Sequence, residues 1–168
     1  MFHHILVTTD GSPLGHLALA PAADLARRYG ASLTLLHVVP PPTPVVLTES
    51  ASYGYGPQYD LEEERERRLE DGVRLLDEAR REIAFPGARV VCRETRGRPV
   101  AEVIADEVEQ GGADLVVMGT HGRSGLAHLF LGSVAEAVLR KVRVPVFLVR
   151  APVEAPQGAG VRPQKAQL

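Results

Sequence analysis

Several residue types that mark whole classes of protein are scarce in this chain. Its 168 residues include no tryptophan, four phenylalanines, four tyrosines and a single cysteine, Cys92. One cysteine excludes an intramolecular disulfide and a cysteine-rich zinc site, and so few aromatic rings offer little stacking surface to single-stranded nucleic acid. The formal net charge of −2 lacks the basic surplus of a nucleic-acid-binding protein. We therefore expect no nucleic-acid partner.

Long apolar runs are also missing. No run approaches the roughly 20 residues of a membrane-spanning helix, and the segment from Met1 to Ile5 lacks the basic and apolar stretches of a signal peptide. Hydrophobic residues make up 45% and charged residues 24% of the chain, ordinary proportions for a globular protein. We expect one cytoplasmic domain and no membrane partner.

Short apolar runs alternate with helical patterns along the chain. Strands are predicted at 5–8, 32–39, 88–95, 114–118 and 144–149, and helices at 13–29, 61–84, 100–110 and 134–142. Five strands alternating with four helices predict an α/β domain over residues 1–150, built on a parallel sheet with right-handed crossovers. The less apolar strand 88–95 is expected at an edge. Residues 40–60 are predicted to form a long loop and residues 151–168 a disordered tail.

Helical spacing predicts which side chains are buried. In the first helix, Ser12 is expected to cap the N-terminus, with Pro13 at the first position and Gly30 as the stop. Helical faces are predicted at Leu17, Ala20, Leu25 and Ala26 in this helix and at Leu69, Val73, Leu76 and Ile83 in the second. His37, inside an apolar strand, is predicted to be a hydrogen-bonded core histidine.

The most informative pattern follows the fourth predicted strand. Residues 119–133 read GTHGRSGLAHLFLGS, with Gly119, Gly122 and the pair Gly132-Ser133 in fixed spacing. A glycine-rich turn before a helix suits phosphate, because glycine tolerates positive φ and close approach, and the first helical N–H groups point at an anion. The pattern is not a Walker A loop, since no lysine precedes Ser133, and it is not the dinucleotide motif G-x-G-x-x-G.

Three predicted strands end in residues that are candidates for one pocket. Asp10, Val38 and Gly119 lie at such ends, and ligands of open parallel sheets bind beyond the carboxyl ends of strands where the strand order reverses. Two roles stay open for Asp10, namely capping the next helix or contacting a ligand. The glycines can serve turn geometry alone. His121 and Arg123 are either surface loop residues or, for Arg123, a charged partner for phosphate.

Three segments of the chain form a recognisable combination: Gly119-x2-Gly122-x9-Gly132-Ser133, Ile5-Leu-Val-Thr-Thr-Asp10-Gly-Ser12 and Leu36-His37-Val38. Together they resemble the universal stress protein family, and in particular its ATP-binding branch. The resemblance implies a Rossmann-like fold with strand order 3-2-1-4-5 and helices on both faces. It implies that Asp10 faces the nucleotide and that the Val38 backbone meets the adenine edge. The expected ligand is ATP, with Mg or Mn, and the expected contact residues are Thr9, Asp10, Val38, Met118, Gly119, His121, Gly122, Arg123, Gly132, Ser133 and Val134.

The function implied by the resemblance is that of an ATP-binding stress or signalling protein. Such a protein would be a homodimer through strand 144–149, and nucleotide occupancy would modulate its protein partners. A slow ATP hydrolase or phosphotransferase is the alternative. A third reading, a partner-binding module without nucleotide, is disfavoured by the intact glycine motif. The sequence names no general base, P-loop lysine or paired metal carboxylates, so no catalytic or metal residues are assigned.

Overall fold

Strands and helices alternate through the residues that the computed structural model describes, which are 1–41, 61–120 and 131–150. The order is β1 (His4–Thr8), α1 (Pro13–His16), α2 (Leu19–Tyr29), β2 (Ser32–Val39), α3 (Leu61–Glu82), β3 (Arg89–Glu94), α4 (Val100–Gly111), β4 (Leu115–Gly119), α5 (Ser133–Lys141) and β5 (Val146–Val149). The five predicted strands are all present. None of these helices is long and apolar enough to cross a membrane.

The five strands form one parallel sheet in the order β3-β2-β1-β4-β5, which confirms the predicted order and places β3 at an edge. Strand β1 lies in the centre, with Leu6 opposite Thr34 of β2 on one side and opposite Val116 of β4 on the other. The strand order therefore reverses around β1, and the carboxyl ends of β1 and β4 lie side by side.

Both faces of the sheet are covered by helices, so the central strands are apolar on both sides. Successive side chains of a strand point to opposite faces, and the buried side chains accordingly form two clusters. One cluster includes Ile5, Val7, Leu33, Leu35 and Leu76 and involves α2 and α3. The other includes Leu6, Leu36, Ile104, Val116 and Val138 and involves α4 and α5.

The first helix differs from its prediction because it is broken in two. Ser12 caps α1 as predicted, with Pro13 at the start, but α2 begins afresh at Leu19. Pro21 explains the break: a proline in a continuous helix would clash with the carbonyl of Leu17, four residues earlier. The predicted face is wrong at Leu17, which is 38% exposed, and at Ala20, which is also exposed.

The predicted buried face of α3 is confirmed at Leu76 and Ile83 and is wrong at Val73. Val73 is 47% exposed, while Gly72, Leu76 and Ala79 are buried. A Cβ at Gly72 would lie 2.7 Å from Cys92 Sγ, so α3 lies against the sheet at a point where only a glycine fits. The hydrophobic pattern did not reveal this contact, because a glycine adds nothing to an apolar stripe.

The remaining differences concern the ends of elements. Gly30 and Gly112 end α2 and α4 in the left-handed conformation, with φ of 63° and 68°. Strand β5 begins at Val146 and not at 144. Most of the predicted 40–60 loop and all of the predicted 151–168 tail lie outside the described residues, so these two predictions remain predictions.

Candidate functional site

A cavity of about 260 Å³ lies at the carboxyl ends of β1, β2 and β4, where the strand order reverses. This is the position at which open parallel sheets bind ligands. His121, Gly122 and Arg123 lie outside the described residues. All the other predicted contact residues line the cavity: Thr9, Asp10, Val38, Met118, Gly119, Gly132, Ser133 and Val134.

The turn between β1 and α1 forms one wall. Asp10 Oδ1 accepts hydrogen bonds from Ser12 N at 3.0 Å and from Ser12 Oγ at 2.6 Å. Ser12 Oγ in turn accepts from Gly15 N at 3.0 Å and caps α1. Asp10 therefore supports the cap through Ser12, and it borders the cavity at the same time.

Gly15 is a cavity residue that the sequence analysis missed. It is buried, and a Cβ there would lie 2.3 Å from Asp10 Oδ1, far inside van der Waals contact. The carboxylate of Asp10 can keep its place only because position 15 has no side chain. The available signal was the second glycine, four residues after Gly11, in the turn that follows a strand.

Backbone hydrogen bonds hold the end of β1 against β2. Thr9 N donates to Leu36 O at 3.0 Å, and Thr9 Oγ1 accepts from Gly11 N at 3.2 Å. His37 Nδ1 lies 2.8 Å from Thr9 O, and His37 is 5% exposed. The prediction that His37 is a hydrogen-bonded core histidine is confirmed.

The opposite wall is the start of α5. Gly132 N donates to Thr120 O at 2.6 Å, and Thr120 N donates to Val149 O at 2.9 Å. The first bond holds the start of α5 against the end of β4 beside the cavity. Gly132 has a φ of −70°, so this position does not use the positive φ that glycine permits.

Among the residues that the structure describes, no side chain caps the start of α5. The first N–H groups of an α-helix have no partner within the helix, and the residues that carry them, Ser133, Val134 and Ala135, line the cavity. The helix dipole adds a partial positive charge at this end. This wall can bind an anion through backbone donors and the Ser133 hydroxyl.

Apolar side chains from three elements complete the cavity. They are Leu36 and Val38 of β2, Met118 of β4, and Val100 and Ile104 of α4. The predicted site residues did not include Leu36, Val100 or Ile104. The signals were there: Leu36 shares a strand face with Val38, and Val100 and Ile104 are four residues apart on one helix face.

The polar groups around the cavity offer few metal ligands. Within residues 1–41, 61–120 and 131–150, no group of three or more His, Cys, Asp or Glu side chains could hold a metal ion. Asp10 is the acidic side chain among the described lining residues.

Burial raises the pKa of the Cys92 thiol, against a smaller opposing effect of Arg93, so this thiol is a weak nucleophile at neutral pH.

Comparison with known proteins decides the family. Residues 1–150 match the sequence model of the universal stress protein family. The chain belongs to this family. The universal stress protein YxiE of Bacillus subtilis is 33% identical over 152 residues, which span 89% of this chain and 100% of YxiE.

Solved structures agree with that assignment. Protein MJ0577, a hypothetical protein whose biochemical function was assigned from its structure, superimposes with a TM-score of 0.70 at 25% identity, over 91% of this chain and 99% of MJ0577. A universal stress protein in complex with cAMP has a TM-score of 0.57 at 23% identity, over 89% of this chain and 97% of that one. The family resemblance and the fold expected from the sequence are confirmed.

Proposed function

We propose that this universal stress protein binds ATP in the cavity at the carboxyl ends of β1, β2 and β4, as the family's ATP-binding branch does. One observation carries the proposal: the uncapped N-terminus of α5, the Asp10 carboxylate and an apolar wall line the same cavity. A nucleoside triphosphate offers an anion, hydroxyl groups and a flat apolar ring, which match these three surfaces in turn.

The phosphates would bind at the start of α5. The N–H groups of Ser133, Val134 and Ala135 and the Ser133 hydroxyl supply donors there. Thr120 and Gly132 border the cavity at the two ends of segment 121–131, and we assign Gly122 and Arg123 of that segment to the phosphates as well. An arginine adds charge and paired donors to such a site.

The nucleoside would occupy the apolar side. Leu36, Ile104 and Met118 offer a surface for the base, and the Val38 backbone lies at the edge where an adenine could be recognised. We assign Thr9 and Asp10, which line the same cavity, to the ribose hydroxyls. A solved universal stress protein of this fold holds cAMP, so the fold accepts an adenine nucleotide in at least one of its members.

A cation, Mg or Mn, would come with the phosphates. Magnesium in proteins keeps several waters and is held by one or two carboxylates together with substrate phosphates. Asp10 is the acidic side chain among the described lining residues, and an indirect hold on the cation is the alternative to its contact with the ribose.

The proposed assembly is a homodimer through β5. The sheet order leaves β5 at an edge, and Phe147 on this strand is 47% exposed. Exposed apolar edge strands are normally paired or covered, and a two-fold contact of β5 with its copy would do both. Nucleotide occupancy would change the surface at the ends of segment 121–131, and with it the choice of protein partner.

The proposal is tested by titrating the protein with ATP and magnesium in a calorimeter, after mass spectrometry of the small molecules that co-purify with it. We expect an adenine nucleotide in the extract and saturable ATP binding at one site per chain. Gly15→Ala should weaken binding because its Cβ would press on Asp10. Gly87→Ala is the matched control, since a Cβ there meets open space. No heat of binding from nucleotide-free protein would contradict the proposal.

A further inference from the structure

His37 is among the residues that line the cavity, and its imidazole bonds to a backbone carbonyl of the cavity wall. His37 Nδ1 lies 2.8 Å from the carbonyl oxygen of Thr9. A carbonyl oxygen only accepts, so Nδ1 must carry the proton and donate. His37 is 5% exposed, and a buried hydrogen bond is costly to lose without replacement.

The carbonyl that His37 holds sits at the point where β1 turns into the cavity wall. Thr9 N already donates to Leu36 O at 3.0 Å, so both backbone groups of Thr9 are bonded to β2. The Thr9–Asp10 peptide is planar, so holding Thr9 O also fixes the direction in which Asp10 leaves the strand. The Thr9 hydroxyl then accepts from Gly11 N at 3.2 Å.

Helix α3 gives the imidazole its place. A Cβ at Gly72 would lie 3.0 Å from His37 Cδ2 and 2.7 Å from Cys92 Sγ, so the absence of a side chain at Gly72 leaves room for the ring. Cys92 is the neighbour of His37 in the β2–β3 pairing. The same helix touches the turn directly, because a Cβ at Gly11 would lie 2.3 Å from Leu75 Cδ1.

We propose that His37 is a positioning residue of the nucleotide site. Its Nδ1–H donates to Thr9 O and so orients the Thr9–Gly11 turn, and Gly72 of α3 leaves room for the imidazole in this position. The inference rests on the proposed function for its ligand. Beyond that function, we infer that the affinity for nucleotide depends on the His37 side chain, which acts through Thr9. It also depends on the packing of α3 against β2.

Two substitutions at His37 and one matched control test the inference. His37→Leu keeps the bulk and removes the donor. His37→Asn restores a donor, since the asparagine amide reaches about as far as Nδ1. His4→Leu is the control, because His4 Nδ1 also bonds a backbone carbonyl, Gly111 O at 2.9 Å, but at the amino end of β1.

Each variant is measured for thermal unfolding, for ATP affinity by calorimetry and for amide hydrogen exchange at Gly11 and Ser12 without nucleotide. We expect both leucine variants to melt at lower temperature. His37→Leu alone should exchange faster in the turn and bind ATP about fivefold more weakly, the effect of one neutral hydrogen bond, and His37→Asn should recover most of that loss.

Two results would overturn the inference. One is unchanged exchange at Gly11 and Ser12 in His37→Leu, whatever the binding result. The other is faster exchange with unchanged ATP affinity. If the wild-type protein itself binds no ATP, the proposed function fails, and the exchange measurement still decides whether His37 holds the turn.

Discussion

The Asp10 carboxylate and the Ser12 hydroxyl form a hydrogen bond of 2.6 Å at the edge of the cavity, so Asp10 has a structural contact and a place in the site. Asp10→Asn keeps an oxygen acceptor for Ser12 and removes the charge. We expect it to melt near the wild-type temperature and to bind ATP and magnesium about tenfold more weakly, a loss of about 1.4 kcal/mol.

Asp10→Ala removes both the charge and the acceptor. It should show the same loss of affinity together with a loss of about 1 kcal/mol in the free energy of unfolding, because the cap of α1 loses its support. Calorimetry and urea unfolding of the two variants separate the roles. An asparagine variant with wild-type affinity would show that Asp10 serves only the cap.

Two side chains of equal exposure test the dimer. Phe147 on β5 and Val73 on α3 are each 47% exposed, but only Phe147 lies on the proposed interface. Phe147→Asp should convert a dimer to a monomer in light scattering at micromolar concentration, while Val73→Asp should leave the mass unchanged. A wild-type protein that is already monomeric under these conditions would refute the dimer.

Turnover of ATP should be far below the roughly 1–1,000 per second of ordinary enzymes. Fast phosphoryl transfer needs a nucleophile held in line and cations positioned on the developing charge. The acidic side chain among the described lining residues, Asp10, already accepts two bonds from Ser12. Release of phosphate from ATP and magnesium is the assay. Turnover of about ten per second that is lost in Gly132→Val would make the protein an enzyme.

Lowering the pH should remove a stabilising contact of Asp114 at the amino end of β1. Burial alone would raise the pKa of Asp114, but hydrogen bonds from His3 N at 2.8 Å and His4 N at 3.0 Å outweigh it and hold the pKa below its usual range. A carboxylate with a lowered pKa stabilises the fold above its unfolded pKa, about 3.9, and that stability is lost as the pH falls through the folded value.

Asp114→Asn should therefore be less stable than the wild type near pH 7, with a difference that shrinks as the pH falls below about 4. Urea unfolding across this range measures it. A difference that stays constant with pH would mean that the charge of Asp114 does not matter.

The sequence predicted the sheet because each strand and helix carries its own pattern, and it predicted about half of the described cavity residues, those at strand ends and at the start of α5. It failed where the answer depends on contacts distant in sequence. Gly72 takes the buried place expected for Val73, since α3 lies close against Cys92. Val100 and Ile104 look like ordinary core positions until α4 is placed beside Met118. The break in the first helix could have been predicted from Pro21. The apolar periodicity over residues 13–29 instead led to the prediction of one continuous helix.

The central claim, that ATP binds at the start of α5, is tested most directly by amide hydrogen exchange with and without ATP and magnesium. We predict that the amides of Ser133, Val134 and Ala135, which have no partner within the helix, become protected together with those of the Thr9–Gly11 turn. The first turn of α2, away from the cavity, should not change. Protection at α2 and none at α5, or no protection anywhere under saturating ATP, would contradict the account.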